Sequence, residues 1–201
     1  MQAPLMQMVL AGEPTEIDLD ALQGLWSEEQ YLRLTEQTNR LIELTDGVIE
    51  VLPRPTRKHQ AILRFLFLLV SGLASVRGGT VFFAPLRLQI RPGKFREPDL
   101  LLLLDANDPR NQNEYWLGAD LVMEIVSPDS ATRDTRVKRR DYAEAGISEY
   151  WIVDPVSNTI TVLELQGNKY AEHGEFGPGE RATSRLLPDF SVSVDEVLDA
   201  E

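Results

Sequence analysis

Two carboxylates stand where the sequence otherwise predicts apolar, buried strands. Asp99 precedes a run of five leucines, and Glu124 lies inside the apolar segment 121–126. A carboxylate in a buried strand is costly to desolvate unless a salt bridge, a pKa shift or a bound cation compensates it. Carboxylates at the ends of neighbouring strands also suit Mg²⁺, a hard ion that takes oxygen ligands and keeps several waters. Asp99 and Glu124 are therefore candidate ligands for Mg²⁺, or for Mn²⁺ in its place.

A third charged group follows in the helix predicted after Glu124. Asp134, Lys138 and Tyr142 recur at four-residue intervals, so they share one helix face. If that face packs on the sheet, Lys138 points toward the ends of the two strands. The alternative is an exposed Asp134–Lys138 pair that contributes only a few tenths of a kcal/mol. On the helix alone, this surface pair is the simpler interpretation.

The remaining pattern predicts the elements that position these side chains. A helix capped by Ser27 and a hairpin with an Asp46-Gly47 turn come first. Further helices are predicted over 59–76, 132–145 and 193–199, and strands over 80–90, 98–104, 120–126, 149–153 and 159–165. We expect a loosely ordered tail over 1–16, a polar loop with a short strand over 166–185, and a single domain over 17–201. Helices and strands that alternate without a linker predict an α/β fold whose mixed sheet is covered by helices.

The charge of the chain is strongly uneven along its length. Its 201 residues carry a formal net charge of −12, which argues against a protein that coats nucleic acid or an anionic membrane non-specifically. Residues 1–53 hold 10 acids against 2 bases, residues 54–140 hold 9 against 15, and residues 141–201 hold 13 against 3. A local basic site is therefore compatible with the acidic total, although the bases could equally be the solvated faces of two helices.

Several classes of site and location are excluded or disfavoured. The chain has no cysteine, which rules out disulfides, thiolate zinc sites and a cysteine nucleophile, and its two histidines are too few for a histidine-rich zinc site. Neither a glycine-rich phosphate loop nor a Gly-x-Ser-x-Gly motif is present. The longest apolar stretch, 61–74, is shorter than the ~20 residues of a membrane span. We expect a cytoplasmic protein without a membrane partner.

Short blocks around the charged residues form a longer pattern. They are Arg96-Glu97-Pro98-Asp99, Glu124-Ile125-Val126-Ser127-Pro128, the helical Asp134, Lys138 and Tyr142, and the segment 146–155. This pattern resembles the Uma-type restriction endonuclease family, a branch of the PD-(D/E)XK nuclease superfamily. The similarity spans about 27–197, and 124–155 is its most distinctive part. It implies a restriction-endonuclease-like core, a mixed β-sheet flanked by helices.

The resemblance also implies catalytic roles. Asp99 and Glu124 match the family's two acids, which are metal ligands. The superfamily usually places a lysine two residues after the second acid, where this chain has Val126. In this branch the lysine lies on the following helix, and Lys138 fits that position. Glu43 matches an acid that completes the metal shell, although the residues alone also allow a solvent-facing hairpin position.

Accessory roles follow from the same comparison. His59 and Tyr142 match family positions near the site, and a polar residue at a helix N-terminus is the alternative for His59. The implied reaction is Mg²⁺-dependent hydrolysis of phosphodiester bonds in DNA, in which Lys138 orients the attacking water or stabilises developing negative charge. Duplex cleavage and the habits of the family predict a homodimer. The basic side chains expected to contact nucleic acid are Arg133, Arg136, Arg139, Arg140 and Lys58.

Two other hypotheses stay open at this point. Val126 at the usual lysine position and the overall acidity favour a catalytically weak or inactive nuclease-like fold, used for nucleic-acid binding or assembly. A purely structural interpretation makes Glu124 one partner of a buried ion pair with Lys138 or Arg136.

Overall fold

The computed structural model describes residues 5–10, 13–18, 22–127 and 133–201, and side chains over 22–127 and 135–201. The described helices are α1 (Glu28–Glu36), α2 (Arg57–Val76), α3 (Lys138–Glu144) and α4 (Val194–Leu198), and a π-helical turn (Arg133–Val137) leads into α3. The described strands are β1 (Leu5–Leu10), β2 (Glu13–Asp18), β3 (Ile42–Thr45), β4 (Val48–Val51), β5 (Thr80–Phe83), β6 (Leu88–Arg91), β7 (Lys94–Arg96), β8 (Leu100–Leu103), β9 (Leu121–Ile125), β10 (Glu149–Asp154), β11 (Thr159–Gln166), β12 (Lys169–Phe176), β13 (Arg181–Thr183) and β14 (Ser191–Ser193).

A six-stranded mixed sheet forms the centre of the fold, in the order β12-β11-β10-β9-β8-β5. The β9–β10 pair is parallel and the other neighbouring pairs are antiparallel. A four-stranded sheet in the order β4-β3-β7-β6 lies beside it, and β1-β2 and β13-β14 are two-stranded. This arrangement confirms the predicted mixed α/β class.

The leucine run of β8 is buried on both faces, as its apolar sequence predicts. Leu100 and Leu102 join the core that contains the inner residues of α2, whereas Leu101 and Leu103 join the core that contains residues of α3. The neighbouring strand β9 alternates in the same way. Glu124 therefore projects from β9 toward the α3 side of the sheet.

Helix α2 packs an apolar stripe on the other face of this sheet. Thr56 caps it by accepting a hydrogen bond from the His59 N–H at 3.2 Å, and the helix begins at Arg57, two residues before the predicted start. Its inner stripe consists of Ile62, Leu66, Val70 and Ala74, all buried. By length and composition alone α2 is apolar enough to cross a membrane. Its inner stripe packs on the sheet, whereas Leu68, Leu69 and Val76 on its outer side are exposed.

The predicted first helix and hairpin are confirmed, and the hairpin strands β3 and β4 belong to the four-stranded sheet. Ser27 and Gln30 form a reciprocal capping box at the start of α1. Asp46 and Gly47 turn the β3–β4 hairpin with φ of 49° and 83°. A Cβ on Gly47 would lie 2.7 Å from the Gly24 carbonyl oxygen, so the position requires glycine.

Several elements differ from the sequence predictions. Strands β1 and β2 were not predicted. The strand predicted over 80–90 divides into β5 and β6 because Pro85 lacks the N–H that a ladder needs. The loop predicted over 166–185 contains the eight-residue β12, whose polar residues pair with β11. Thr132, the predicted cap of the following helix, lies outside the described residues.

Candidate active site

Four separate segments bring polar or charged side chains to one cleft. Asp99 lies directly before β8, Glu124 on β9, Lys138 at the start of α3 and His59 in the first turn of α2. The cleft has a volume of about 40 Å³, and its other lining residues are Leu41, Leu52, Pro53, Pro55, Glu97, Ile125 and Ser127. Space of this size holds a few waters or a small ion.

Asp99 is fixed by the backbone of the neighbouring strand. Its Oδ2 accepts a hydrogen bond from the Ile125 N–H at 2.8 Å and lies 3.1 Å from His59 Nε2. An ionised carboxylate only accepts, so Nε2 of His59 is the donor. The other ring nitrogen, Nδ1, is buried and has no hydrogen-bond partner among the described residues. His59 therefore fits the role of a residue that orients Asp99.

Glu124 accepts two bonds from α3 on a single oxygen. Lys138 Nζ lies 2.7 Å from Glu124 Oε1, and the Tyr142 hydroxyl donates to the same atom. Burial and the charge of Glu124 raise the pKa of Tyr142, so its hydroxyl stays a donor. Lys138 is only 2 % exposed. The prediction that Lys138 is exposed and pairs with Asp134 at the surface is therefore wrong in its placement of Lys138. The side chain of Asp134 lies outside the described residues.

Glu43 lies behind Lys138 and is not solvent-facing. It is 2 % exposed, and its Oε1 lies 3.5 Å from Lys138 Nζ. Its Oε2 lies 3.6 Å from Arg96 Nε, and its Oε1 accepts the Glu97 N–H at 3.3 Å. The structure thus brings Glu43 to the ammonium of Lys138 rather than into the lining of the cleft.

Glu97 is a cleft carboxylate that sequence reasoning missed. It lines the cleft, is 4 % exposed and accepts the Ile42 N–H at 3.1 Å. Burial and the negative charge of Glu43 raise the pKa of Glu97 to about 8, against the opposing charges of Arg87 and Lys138. Its position after Arg96 and before Pro98 gave no periodicity signal that could have singled it out.

We expect Glu97 to make the metal-free protein less stable as the pH rises. A carboxyl whose folded pKa lies near 8 stabilises the fold fully below its unfolded pKa of about 4.5, and that stability is lost as the pH rises through 8. The loss is a few kcal/mol, since one pKa unit corresponds to about 1.4 kcal/mol. Urea unfolding in chelator between pH 5 and 9 measures it. Glu97→Gln should flatten the profile, and an equal slope in both proteins would contradict the assignment.

A buried ion network anchors α3 against β7. Asp141 Oδ2 accepts from Arg96 at 2.7 and 3.0 Å, and Asp141 Oδ1 accepts from Lys94 Nζ at 2.5 Å. Lys94 also reaches Glu144 at 2.9 Å. Because Asp141 lies three residues after Lys138, a little less than one turn along the same short helix, this network fixes the position of Lys138 over the sheet.

The basic residues expected to bind nucleic acid are not in the cleft lining. Arg139 donates to the Tyr170 carbonyl at 2.9 Å, and Lys58 donates to the Ala200 carbonyl at 3.2 Å. Arg136 and Arg140 are exposed, and the side chain of Arg133 lies outside the described residues. Among the described lining residues, Lys138 is the only cation.

The carboxylates fit a divalent ion that retains water. No three His, Asp or Glu side chains over the described ranges form a complete metal-binding cluster by themselves. Mg²⁺ does not need one, because it is commonly held by one or two carboxylates together with waters and substrate phosphates. Asp99 and Glu124, in a cleft that holds a few waters, meet that requirement.

Comparisons with known proteins give a consistent result. A family model described as "Uma2: Putative restriction endonuclease" matches residues 28–195. Among solved structures, the chain is similar to "a putative nuclease belonging to DUF820" from Anabaena variabilis, with a TM-score of 0.67 and 20% sequence identity. The alignment covers 84% of this chain and 97% of that chain, and at this identity it shows a shared fold. No curated protein matches the chain.

Proposed function

Because the chain belongs to the Uma2 family, described as "Putative restriction endonuclease", we propose that it is a Mg²⁺-dependent endonuclease that hydrolyses phosphodiester bonds in DNA. The sequence-based assignment to this family is confirmed, and the family and the fold support a nuclease. The cation and the DNA substrate are inferred from the site. The observation that supports them is the meeting of Asp99, Glu124 and Lys138 in one cleft.

The two acids on the sheet would hold the cation. Asp99 is held in place by the Ile125 N–H and by His59, so its carboxylate is fixed before any ion arrives. When bound, Mg²⁺ supplies positive charge at the scissile phosphate and favours ionisation of the attacking water. Glu124 faces the same cleft from β9, and the Tyr142 hydroxyl fixes its position.

Lys138 would act on the reacting phosphate. Its ammonium lies at the cleft, between Glu124 at 2.7 Å and Glu43 at 3.5 Å. Contacts to two carboxylates limit the movement of the Lys138 side chain. A fixed ammonium can orient the attacking water or stabilise the negative charge that develops on the phosphate. Glu43 is thus a positioning residue for Lys138.

A second candidate function is a nuclease-like module that binds nucleic acid or assembles without turnover. The observation that favours it is the close Lys138–Glu124 contact, because a buried ion pair alone can explain a carboxylate in β9. The two candidates differ in what they require of Glu124. Only the enzyme needs this residue to bind a cation.

Glu124→Gln separates the two candidates. Mn²⁺ should stabilise the wild-type protein, by about 2.7 kcal/mol at a hundred times its Kd, and this gain should vanish in the variant. In chelator the variant should be as stable as the wild type or more so, because one of several crowded acids is neutralised. Thermal melts with and without Mn²⁺ measure both effects.

The control is Glu172→Gln, which removes an exposed acid from β12. It should keep the full Mn²⁺ effect. A loss of about 3–5 kcal/mol in chelator for Glu124→Gln, with no response of the wild type to Mn²⁺, would instead establish a structural ion pair.

The proposed function also includes an oligomeric state and a cellular location. We propose a homodimer, since cutting both strands of a duplex needs two sites, and light scattering that shows a monomer at high concentration would contradict it. A cytoplasmic location is proposed from the absence of cysteine. The exposed Arg136 and Arg140 remain proposed phosphate contacts.

A further inference from the structure

A second groove adjoins the carboxylate cleft and carries the opposite charge. Its volume is about 260 Å³, and it shares four lining residues with the cleft: Leu41, Leu52, Pro53 and Pro55. Its other lining residues are Asn39, Arg40 and Arg54. A ligand chain that leaves the cleft over the shared residues therefore passes two arginines.

The β3–β4 hairpin brings these arginines together from distant positions in the sequence. Its open end is the Ile42–Val51 pair, and beyond it the Leu52 N–H donates to the Leu41 carbonyl at 2.9 Å. Arg40 precedes Leu41, and Arg54 follows Leu52 by two residues. Prolines on both sides of Arg54 restrict its backbone. The two guanidinium groups thus belong to a stiff frame.

Arg40 and Arg54 are exposed, and neither forms an ion pair with any side chain that the structure describes. The cations next to α3 differ in this respect: Arg91 pairs with Asp46, and Lys94 and Arg96 pair with Asp141. Unpaired guanidinium groups bind phosphate oxygens strongly, often through two parallel hydrogen bonds. The groove therefore offers an anion site beside a cleft whose lining is rich in acids.

We propose that this arginine groove, formed by Asn39, Arg40 and Arg54, binds the phosphate backbone of the DNA strand beside the scissile position. The proposal rests on the proposed nuclease function and deepens it. It gives the DNA strand an attractive contact beyond the scissile position, next to a cleft whose lining holds three acidic side chains and one lysine. Lys58 and Arg139, expected from the sequence to make such contacts, donate to backbone carbonyls instead.

The test is the double variant Arg40→Gln/Arg54→Gln. Binding of a fluorescein-labelled DNA duplex is followed by anisotropy between about 50 and 200 mM salt, in an Asp99→Asn background with Mg²⁺ so that the duplex stays intact. Loss of two phosphate contacts should lower the slope of log K against log salt by about 2 and weaken binding about tenfold or more. Each single variant should lower the slope by about 1.

The matched control is Arg181→Gln/Arg185→Gln, which removes the same charge from exposed positions on and after β13. With Asp99 intact, the groove variant should raise the KM for plasmid cleavage with little change in kcat, since uniform binding is lost. Equal salt slopes in groove and control variants would overturn the arginine groove, while wild-type cleavage would still uphold the nuclease. A wild-type protein that neither binds duplex nor cleaves plasmid with Mg²⁺ would overturn the proposed function, and the groove with it.

Discussion

Asp99→Asn should slow Mg²⁺-dependent plasmid cleavage by about a thousandfold or more. A metal ion contributes several kcal/mol of charge stabilisation in such a reaction, and about 1.4 kcal/mol corresponds to a factor of ten in rate. Asparagine keeps the shape and still accepts the Ile125 N–H, so the strand contact is retained. The rate is measured by conversion of supercoiled plasmid to nicked and linear forms. Calorimetry should show a matching loss of Mn²⁺ affinity.

The control for this result is Asp189→Asn, an exposed acid that pairs with Arg77 at the surface. It should cleave at the wild-type rate, and both variants should melt near the wild type in chelator. Equal cleavage by wild type and Asp99→Asn would contradict a catalytic role for Asp99, and equal cleavage by Lys138→Gln as well would mean that the activity belongs to a contaminant.

Lys138→Gln should lower the cleavage rate by about a hundredfold to a thousandfold while leaving the cation bound. Loss of one fixed donor at a developing negative charge typically costs about 2.7–4 kcal/mol. The glutamine amide can still donate to Glu124, which reduces the damage from an unpaired buried carboxylate. Removing the positive charge beside the ligand Glu124 should leave Mn²⁺ affinity unchanged or raise it. Single-turnover cleavage and calorimetry give the two readouts.

The split between rate and metal affinity distinguishes this role from a structural one. Lys169→Gln, at the exposed β11–β12 turn, removes the same charge without touching the cleft and should have wild-type activity. A Lys138→Gln protein that folds, binds Mn²⁺ and cleaves normally would contradict the proposed role. A parallel loss of melting temperature and of Mn²⁺ affinity would show that Lys138 mainly holds Glu124.

Asp99 and Glu124 could be found from the sequence because each interrupts a strong local pattern, whereas the pattern around Lys138 favoured a surface pair and only the family resemblance placed it at the site. Asp99 is a charge directly before β8 and Glu124 a charge within β9, and the apolar residues of both strands are buried on both faces. Lys138 shares a helix face with Tyr142, and the structure places that face on the sheet. The family resemblance then gave these residues their proposed roles, which local pattern alone could not do.

What the sequence could not predict depends on contacts between distant segments. Glu97 becomes a buried acid only because Glu43 and Ile42 of the hairpin lie beside it. Asp141 acquires its partners Lys94 and Arg96 through the packing of α3 on β7. No local periodicity encodes either contact.

The sequence also could not predict which basic residues are free to bind nucleic acid. The excess of basic over acidic residues in the middle of the chain indicated a binding face, but it could not show which basic side chains already had partners. In the structure Arg139 and Lys58 bond to backbone carbonyls. The hairpin instead sets Arg40 and Arg54 beside the cleft, although they are fourteen positions apart in the sequence.

The most direct test of the proposed site is the position of the cation itself. Crystals soaked with Mn²⁺ and measured at the manganese absorption edge should give an anomalous peak in contact with the carboxylates of Asp99 and Glu124, with the Lys138 ammonium nearby. The same soak of Asp99→Asn crystals should give no peak there. Anomalous density confined to surface acids, with none between Asp99 and Glu124 at saturating Mn²⁺, would contradict a metal-dependent nuclease site in this cleft.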